Sequence, residues 1–146
     1  MKHSKIYPNE WMQIHPYTQQ QPSDMYFVGL ANRLYESLKE SELPDTYQRK
    51  LALYAAAYLE DLISGLGLWE SFTQEHRRLY GRTLPFYPTE ADYCEGEPNL
   101  SDLKFLVWNT WQKALFPHPY LSPEDPDIDR LAGLLAAPLA QAYEEA

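Results

Sequence analysis

Apolar residues at helical spacing dominate the middle of this chain and restrict the folds it can adopt. Over residues 45–64 they recur three or four positions apart, as at Ala55, Tyr58 and Leu62. Two glycines interrupt the pattern at positions 65 and 67, and the same period resumes over residues 68–80. This spacing is typical of amphipathic helices that bury one face. It predicts two consecutive helices.

The same pattern predicts three more long helices. One runs from residue 23 or 24 to about 39 and one from 99 to about 115. The last begins at residues 122–125, Ser-Pro-Glu-Asp, a sequence typical of a helix start. Gly29 lowers the helix propensity of the first, so we expect it to mark the close approach of a neighbour. The 99–115 segment is apolar on nearly all sides, which places it at the centre of a bundle. Pro138 should kink the last helix. No segment has the pattern of a strand.

We therefore predict an all-α fold, a single domain over residues 1–146 built as an irregular bundle of about five principal helices. Two segments fall outside them. A Pro-rich N-terminal arm covers residues 1–22, with a short helix from Pro8 to about Ile14. A connector rich in Pro and acidic residues covers residues 81–98.

The C-terminal end has two equally weighted interpretations. Glu144, Glu145 and Ala146 look like unfinished helix, since two acids oppose the helix dipole there and no glycine or basic cap follows. In the first interpretation, the chain is the N-terminal portion of a longer protein. Alternatively, it is an ordinary frayed end.

Composition disfavours several functional classes. The formal net charge is −9 and the pI is near 4.8, so phosphate backbones and anionic membrane surfaces should be repelled. No apolar run is long enough to span a membrane, and the N-terminus lacks the apolar region of a secretory signal. Cys94 is the only cysteine, which rules out a disulfide within the chain. We expect a cytoplasmic protein without a cofactor.

Catalytic and metal-binding motifs are weak. Asp125, Asp127 and Asp129 alternate like the opening of a calcium loop, but Arg130 and Ala136 stand where that loop needs glycine and glutamate. No metal site is predicted.

His76 lies on an apolar helix face and could form an acid–base pair with Asp61, with His118 as a further candidate. Helix geometry favours a structural histidine instead, because His76 should face Tyr54 rather than Asp61. A hydrolase-like enzyme with a site assembled across helices around Asp61 and His76 is thus the second hypothesis.

A repeated tripeptide suggests the leading hypothesis, a protein-interaction module. His15-Pro16-Tyr17 and His118-Pro119-Tyr120 each follow helix-like sequence, and a recurrent helix-exit turn is the simpler explanation. The functional alternative is an aromatic contact surface, since aromatic residues with polar tips are typical interface anchors. Its predicted members are Trp11, His15, Tyr17, Phe86, Tyr87, His118 and Tyr120. The leading prediction is a non-enzymatic protein-interaction or accessory module of unknown oligomeric state.

Several segments carry a family resemblance. They are Lys5-Ile6-Tyr7-Pro8 with Trp11, His15-Pro16-Tyr17, 58–61 through 65–69, and Leu79-Tyr80-Gly81. Together they resemble an uncharacterised family from gut Bacteroidetes, classed as a domain of unknown function. The resemblance covers most of the chain and brings no catalytic motif. It implies a bacterial, intracellular protein and an intact chain longer than this one.

Overall fold

The structure, a computed structural model, describes residues 5–14, 22–64, 98, 100–114, 122 and 124–145. Five α-helices occur in these ranges: α1 (Pro8–Ile14), α2 (Pro22–Leu38), α3 (Asp45–Ser64), α4 (Leu100–Ala114) and α5 (Pro126–Glu145). A short 3-10 helix (Lys39–Ser41) follows α2, and no strand occurs within the described ranges. The all-α prediction is confirmed.

Local sequence explains where these helices begin. Proline occupies the first position of α1, α2 and α5, where its missing N–H and fixed φ are not penalised. Acidic residues follow in the first turns of α1, α3, α4 and α5, where the positive end of the helix dipole favours them. Asp125 Oδ1 also accepts a hydrogen bond from the Asp127 amide at 2.8 Å, just before the first turn of α5.

The turn between α2 and α3 is fixed by side chains bonded to the main chain. The Ser41 hydroxyl donates to the Leu38 carbonyl at 2.5 Å, and Gln48 Nε2 donates to the Leu43 carbonyl at 2.7 Å. Between them, Glu42 has a φ of 59°, a left-handed conformation uncommon for a residue other than glycine. The turn therefore brings α2 and α3 together through specific polar contacts.

Helix α3 is the element that the other helices surround, since it contacts α1, α2, α4 and α5. Helix α4 packs between α3 and α5. Tyr58, late in α3, bonds Asp102, early in α4, whereas Tyr47, early in α3, bonds Val107 further along α4. The two helices therefore run antiparallel.

The core consists of the apolar faces that the spacing predicted. In α2 the buried residues include all five members of the predicted face: Phe27, Leu30, Ala31, Leu34 and Leu38. In α5 the predicted positions Ile128, Leu131, Leu135 and Leu139 are buried, and Tyr143 packs against them partly exposed. Helix α4 is buried on all sides over residues 105–110, as its apolar circumference predicted. Among the described helices, however, the central one is α3, because the main contacts of α4 are with α3 and α5 alone.

Gly29 does not mark a close helix contact. It is exposed, and a Cβ added there would meet no atom within 4 Å. The prediction was wrong because α2 turns this position to solvent, where the low helix propensity of glycine has no compensating packing role.

Two other sequence predictions lie wholly or largely outside the described residues. These are the helix over 68–80 and the connector over 81–98, of which only Pro98 is described. Pro138 does lie inside α5, and the helix continues past it to Glu145.

Candidate functional site

The predicted catalytic residues are not brought together by any described contact. Asp61 belongs to α3, but its side chain is outside the described part, and so are His76 and His118. The hydrolase-like site therefore stays a prediction.

Trp11 is the one described member of the predicted aromatic contact surface, and it is buried rather than exposed. Its exposed fraction is 0%, and its ring stacks on Phe27 with 5.8 Å between centroids and 9° between planes. The sequence placed this side chain on a surface because aromatic residues with polar tips are typical interface anchors, whereas α1 turns it into the core. The other six members, at positions 15, 17, 86, 87, 118 and 120, lie outside the described residues.

The N-terminal arm is attached to α2 through a side chain that bonds to its main chain. Asn32 Oδ1 accepts a hydrogen bond from the Ile6 amide at 2.7 Å, and Asn32 Nδ2 donates to the Ile6 carbonyl at 3.0 Å. The same nitrogen donates to the Val28 carbonyl one turn earlier in α2 at 3.1 Å, which fixes the amide orientation. The Ile6 side chain is itself buried, with 1% exposed.

Glu10 links the start of α1 to α3. Its Oε2 accepts a hydrogen bond from the Tyr7 amide at 2.9 Å, the contact that a glutamate at the third helical position makes in a capping box. Its Oε1 lies 2.9 Å from Nη1 of Arg49, and the two side chains are 27% and 21% exposed. This ion pair is thus less screened than a typical surface pair.

Arg49 is the hub of the polar contacts around the arm. Its Nη1 also donates to the Lys5 carbonyl at 2.9 Å, and its Nε donates to Asp45 Oδ2 at 2.7 Å. Its guanidinium lies over the Tyr35 ring, 5.2 Å from the centroid, and the Tyr35 hydroxyl donates to Asp45 Oδ1. One guanidinium therefore holds the arm and is itself held by α2 and α3.

The contacts around Arg49 shift the pKa values of Asp45 and Arg49 so that both ionised forms are favoured. Partial burial on its own would raise the pKa of Asp45, but the hydrogen bonds from Tyr35 and Arg49 and the positive charges of Arg49 and Lys39 outweigh it. The net result is a pKa below the ordinary value of 3.8. For Arg49, burial would lower the pKa, but its bond with Asp45 and the charge of Glu10 outweigh that and raise it. Both groups are ionised at neutral pH.

A second group of polar side chains is buried between α3 and α4. The Tyr58 hydroxyl donates to Asp102 Oδ2 at 2.6 Å, and Tyr47 donates to the Val107 carbonyl at 2.9 Å. Burial, together with the charge of Asp127, raises the pKa of Tyr47 and keeps its hydroxyl a neutral donor. These bonds join the antiparallel pair along its length.

Asn109 and Thr110 of α4 are buried as well. In the described part of the chain neither amide atom of Asn109 nor the Thr110 hydroxyl has a hydrogen-bond partner. A buried polar group in this state costs about 1–3 kcal/mol, so α4 lowers the stability of the bundle at these two positions.

Three of the exposed large apolar side chains belong to the arm or to the first two turns of α2. Tyr7 is 49% exposed, Met25 62% and Tyr26 40%. The Tyr26 ring packs edge-on against Phe27 at 5.0 Å, and Phe27 in turn stacks on Trp11. The Tyr7 carbonyl accepts the Trp11 amide at 3.5 Å. We call Tyr7, Met25 and Tyr26 the arm rim.

The described residues contain no group of three His, Cys, Asp or Glu side chains that could hold a metal ion. None of the described helices is long and apolar enough to cross a membrane.

The fold and these contacts define an all-helical bundle with a docked N-terminal arm, and a comparison with protein families places it. The family model described as "Protein of unknown function (DUF3843)" matches residues 5–146. The chain belongs to this family. Searches of curated proteins and of solved structures gave no significant match.

Proposed function

We propose that this protein is a non-enzymatic interaction or accessory module that binds a protein partner through the arm rim. The observation that carries the proposal is the exposure of Tyr7, in an arm that is otherwise fixed to the bundle, and of Met25 and Tyr26 near the start of α2. Large apolar and aromatic side chains on a rigid support are typical anchors of protein interfaces.

The support beneath the rim is rigid in a way that suits recognition. The Trp11–Phe27 stack lies directly under Tyr26, and α1 is fixed at its start by the Glu10 cap and by Arg49. A partner that contacts Tyr7 and Tyr26 would therefore find them already positioned, which lowers the ordering cost of binding.

The remaining features of the proposal come from the sequence. His15, Tyr17, Phe86, Tyr87, His118 and Tyr120 would extend the surface. The net charge of −9 favours a partner with a basic face over a nucleic acid. The proposal includes a cytoplasmic location in a bacterium, with gut Bacteroidetes as the source.

A site-specific photo-crosslinking experiment tests the proposal. A benzophenone amino acid would replace Tyr26 in the protein expressed in its native cells, and the matched control would carry it at the exposed position Gln141 of α5. We expect a discrete protein adduct from position 26 that Met25→Glu abolishes while circular dichroism shows an unchanged fold. The same adducts from both positions, or no adduct from position 26, would contradict a partner surface at the arm rim.

A further inference from the structure

The contacts beneath the arm have the character of a peptide-recognition site. The arm groove is defined by Phe27 and Asn32 of α2 and Arg49 of α3, three residues that contact the arm. It faces a segment that is not helical at residues 5–7 and becomes helical at Pro8. Recognition of linear segments by other proteins uses the same elements, namely main-chain hydrogen bonds for affinity and a few buried side chains for selectivity.

The groove binds the arm main chain at two residues. Asn32 satisfies both the amide and the carbonyl of Ile6, as a neighbouring strand would. Arg49 binds the carbonyl of Lys5. These three bonds require a particular backbone conformation but no particular side chains at positions 5 and 6.

The selectivity comes from three side chains of the arm. Ile6 and Trp11 are buried with 1% and 0% exposed, and they lie five positions apart. Glu10 places a carboxylate 2.9 Å from Nη1 of Arg49. The intervening residues Pro8 and Asn9 are exposed. A ligand of this groove therefore needs two large apolar residues with an acid just before the second.

The groove side of these contacts is held by bonds that do not involve the arm. Asn32 is oriented by the Val28 carbonyl of its own helix. Arg49 is oriented by Asp45 and by the Tyr35 ring. Because α2 and α3 supply all of these bonds, we expect Asn32 and Arg49 to keep their orientation when the arm leaves.

We propose that the arm groove is a binding site for a linear segment, occupied in the single chain by its own arm, and that the arm of a second copy of this chain can take its place. The second copy is the occupant because its residues 5–11 carry the chemistry that every groove residue contacts. Exchange of an identical element between copies is a low-cost route to a dimer. The proposal does not depend on the arm rim having another partner.

The tethered arm has an advantage over an arm from another molecule. A tether raises the effective concentration of its ligand to the millimolar range, so the wild-type chain alone should stay closed on itself. Exchange becomes observable when one copy has a defective arm and the other a defective groove. The intact arm of one then meets the intact, empty groove of the other.

The experiment uses such a pair of full-length variants. The first carries Trp11→Ala and keeps the groove, and the second carries Asn32→Ala with Arg49→Ala and keeps the arm. A third chain, Gln13→Ala, serves as the control, because Gln13 is an exposed residue of α1. Mass in solution is measured by light scattering for each chain alone and for equimolar mixtures.

We expect a one-to-one heterodimer only in the mixture of arm-defective and groove-defective chains. A synthetic peptide of residues 1–16 should also bind the Trp11→Ala chain at least about tenfold more tightly than it binds wild type or Gln13→Ala. If both variants are folded and the mixture stays monomeric while the peptide does not bind, the proposal is wrong.

A folding defect also gives a decisive result. If Trp11→Ala unfolds the chain, the peptide should restore its helical circular dichroism, and the milder Ile6→Ala should respond in the same way. An unfolded variant that the peptide cannot restore would overturn the proposal. Crosslinking at position 26 can succeed or fail independently, so the two proposals are tested separately.

Discussion

Replacing Trp11 by alanine tests whether the N-terminal arm is part of the folded core. A buried tryptophan removes roughly 150–250 Å² of surface from water, which at about 25 cal/mol per Å² is worth ~4–6 kcal/mol. Alanine retains a small part of that burial. Measured tryptophan-to-alanine changes in cores cost about 3–5 kcal/mol. Since Trp11 has 0% exposure and stacks on Phe27, we expect Trp11→Ala to lower the free energy of unfolding by about 3–5 kcal/mol.

Urea unfolding followed by circular dichroism at 222 nm measures this loss, with the slope m compared between variants. Gln13→Ala is the matched control in the same helix, and as an exposed residue it should stay within about 0.5 kcal/mol of wild type. If the arm leaves the groove in this variant, the measured loss is the free energy of docking, which includes the burial of Trp11. A loss under about 1 kcal/mol would refute the assignment of Trp11 to the core.

Four further predictions concern the stability effects of single substitutions. Asn32→Ala should cost about 1–3 kcal/mol in urea unfolding, because both hydrogen bonds to the arm main chain are lost, whereas the exposed neighbour Arg33→Ala should have little effect. Tyr58→Phe should cost about 1.5–3 kcal/mol by the same assay, since a buried carboxylate loses a donor, and an unchanged stability would contradict the 2.6 Å bond. Because the folded pKa of Asp45 is depressed, its contribution to stability is present above pH 3.8 and is lost as the pH falls through the folded pKa. The melting temperature should therefore decline less steeply with falling pH in Asp45→Asn than in wild type. Gly29→Ala should raise the free energy of unfolding by about 0.5–1 kcal/mol and with it the melting temperature. A lower melting temperature would mean that this exposed position has a packing contact after all.

The helices could be predicted because the information that defines them is local. The spacing of Phe27, Leu30 and Leu34 gives the buried face of α2, and proline or acidic residues mark the starts of α1, α3 and α5. Each of these signals lies within a few residues of the feature it predicts. The predicted ends of α1 to α4 therefore lie within two residues of the observed ones, whereas the start signal predicted for α5, at residues 122–125, precedes its observed start at Pro126.

The arm contacts could not be predicted because their partners are far apart in the chain. Ile6 and Asn32 are separated by 26 positions, and Lys5 and Arg49 by 44. No periodicity links a side-chain amide to a distant main-chain group. The sequence predicted a short helix around Trp11, but an aromatic residue on a short helix can equally well pack inward or lie on the surface.

Helix α4 shows a different limit of sequence reasoning. Its apolar circumference correctly predicted burial on all sides, but a helix buried on all sides also encloses its polar residues. Asp102, Asn109 and Thr110 are buried for this reason, and their polarity gave no sign of it. Charge and hydrogen-bonding capacity are usually taken to indicate solvent exposure, and that rule fails when the whole helix is surrounded.

Hydrogen exchange at the Ile6 amide tests the docked arm most directly. This N–H donates to Asn32 Oδ1 at 2.7 Å, and the Ile6 side chain is 1% exposed. We expect the amide to exchange as slowly as those in the buried turns of α2 and α3, and to lose that protection in Asn32→Ala. Exchange at the rate of an unstructured peptide in the wild-type chain would contradict a docked arm and, with it, the arm groove.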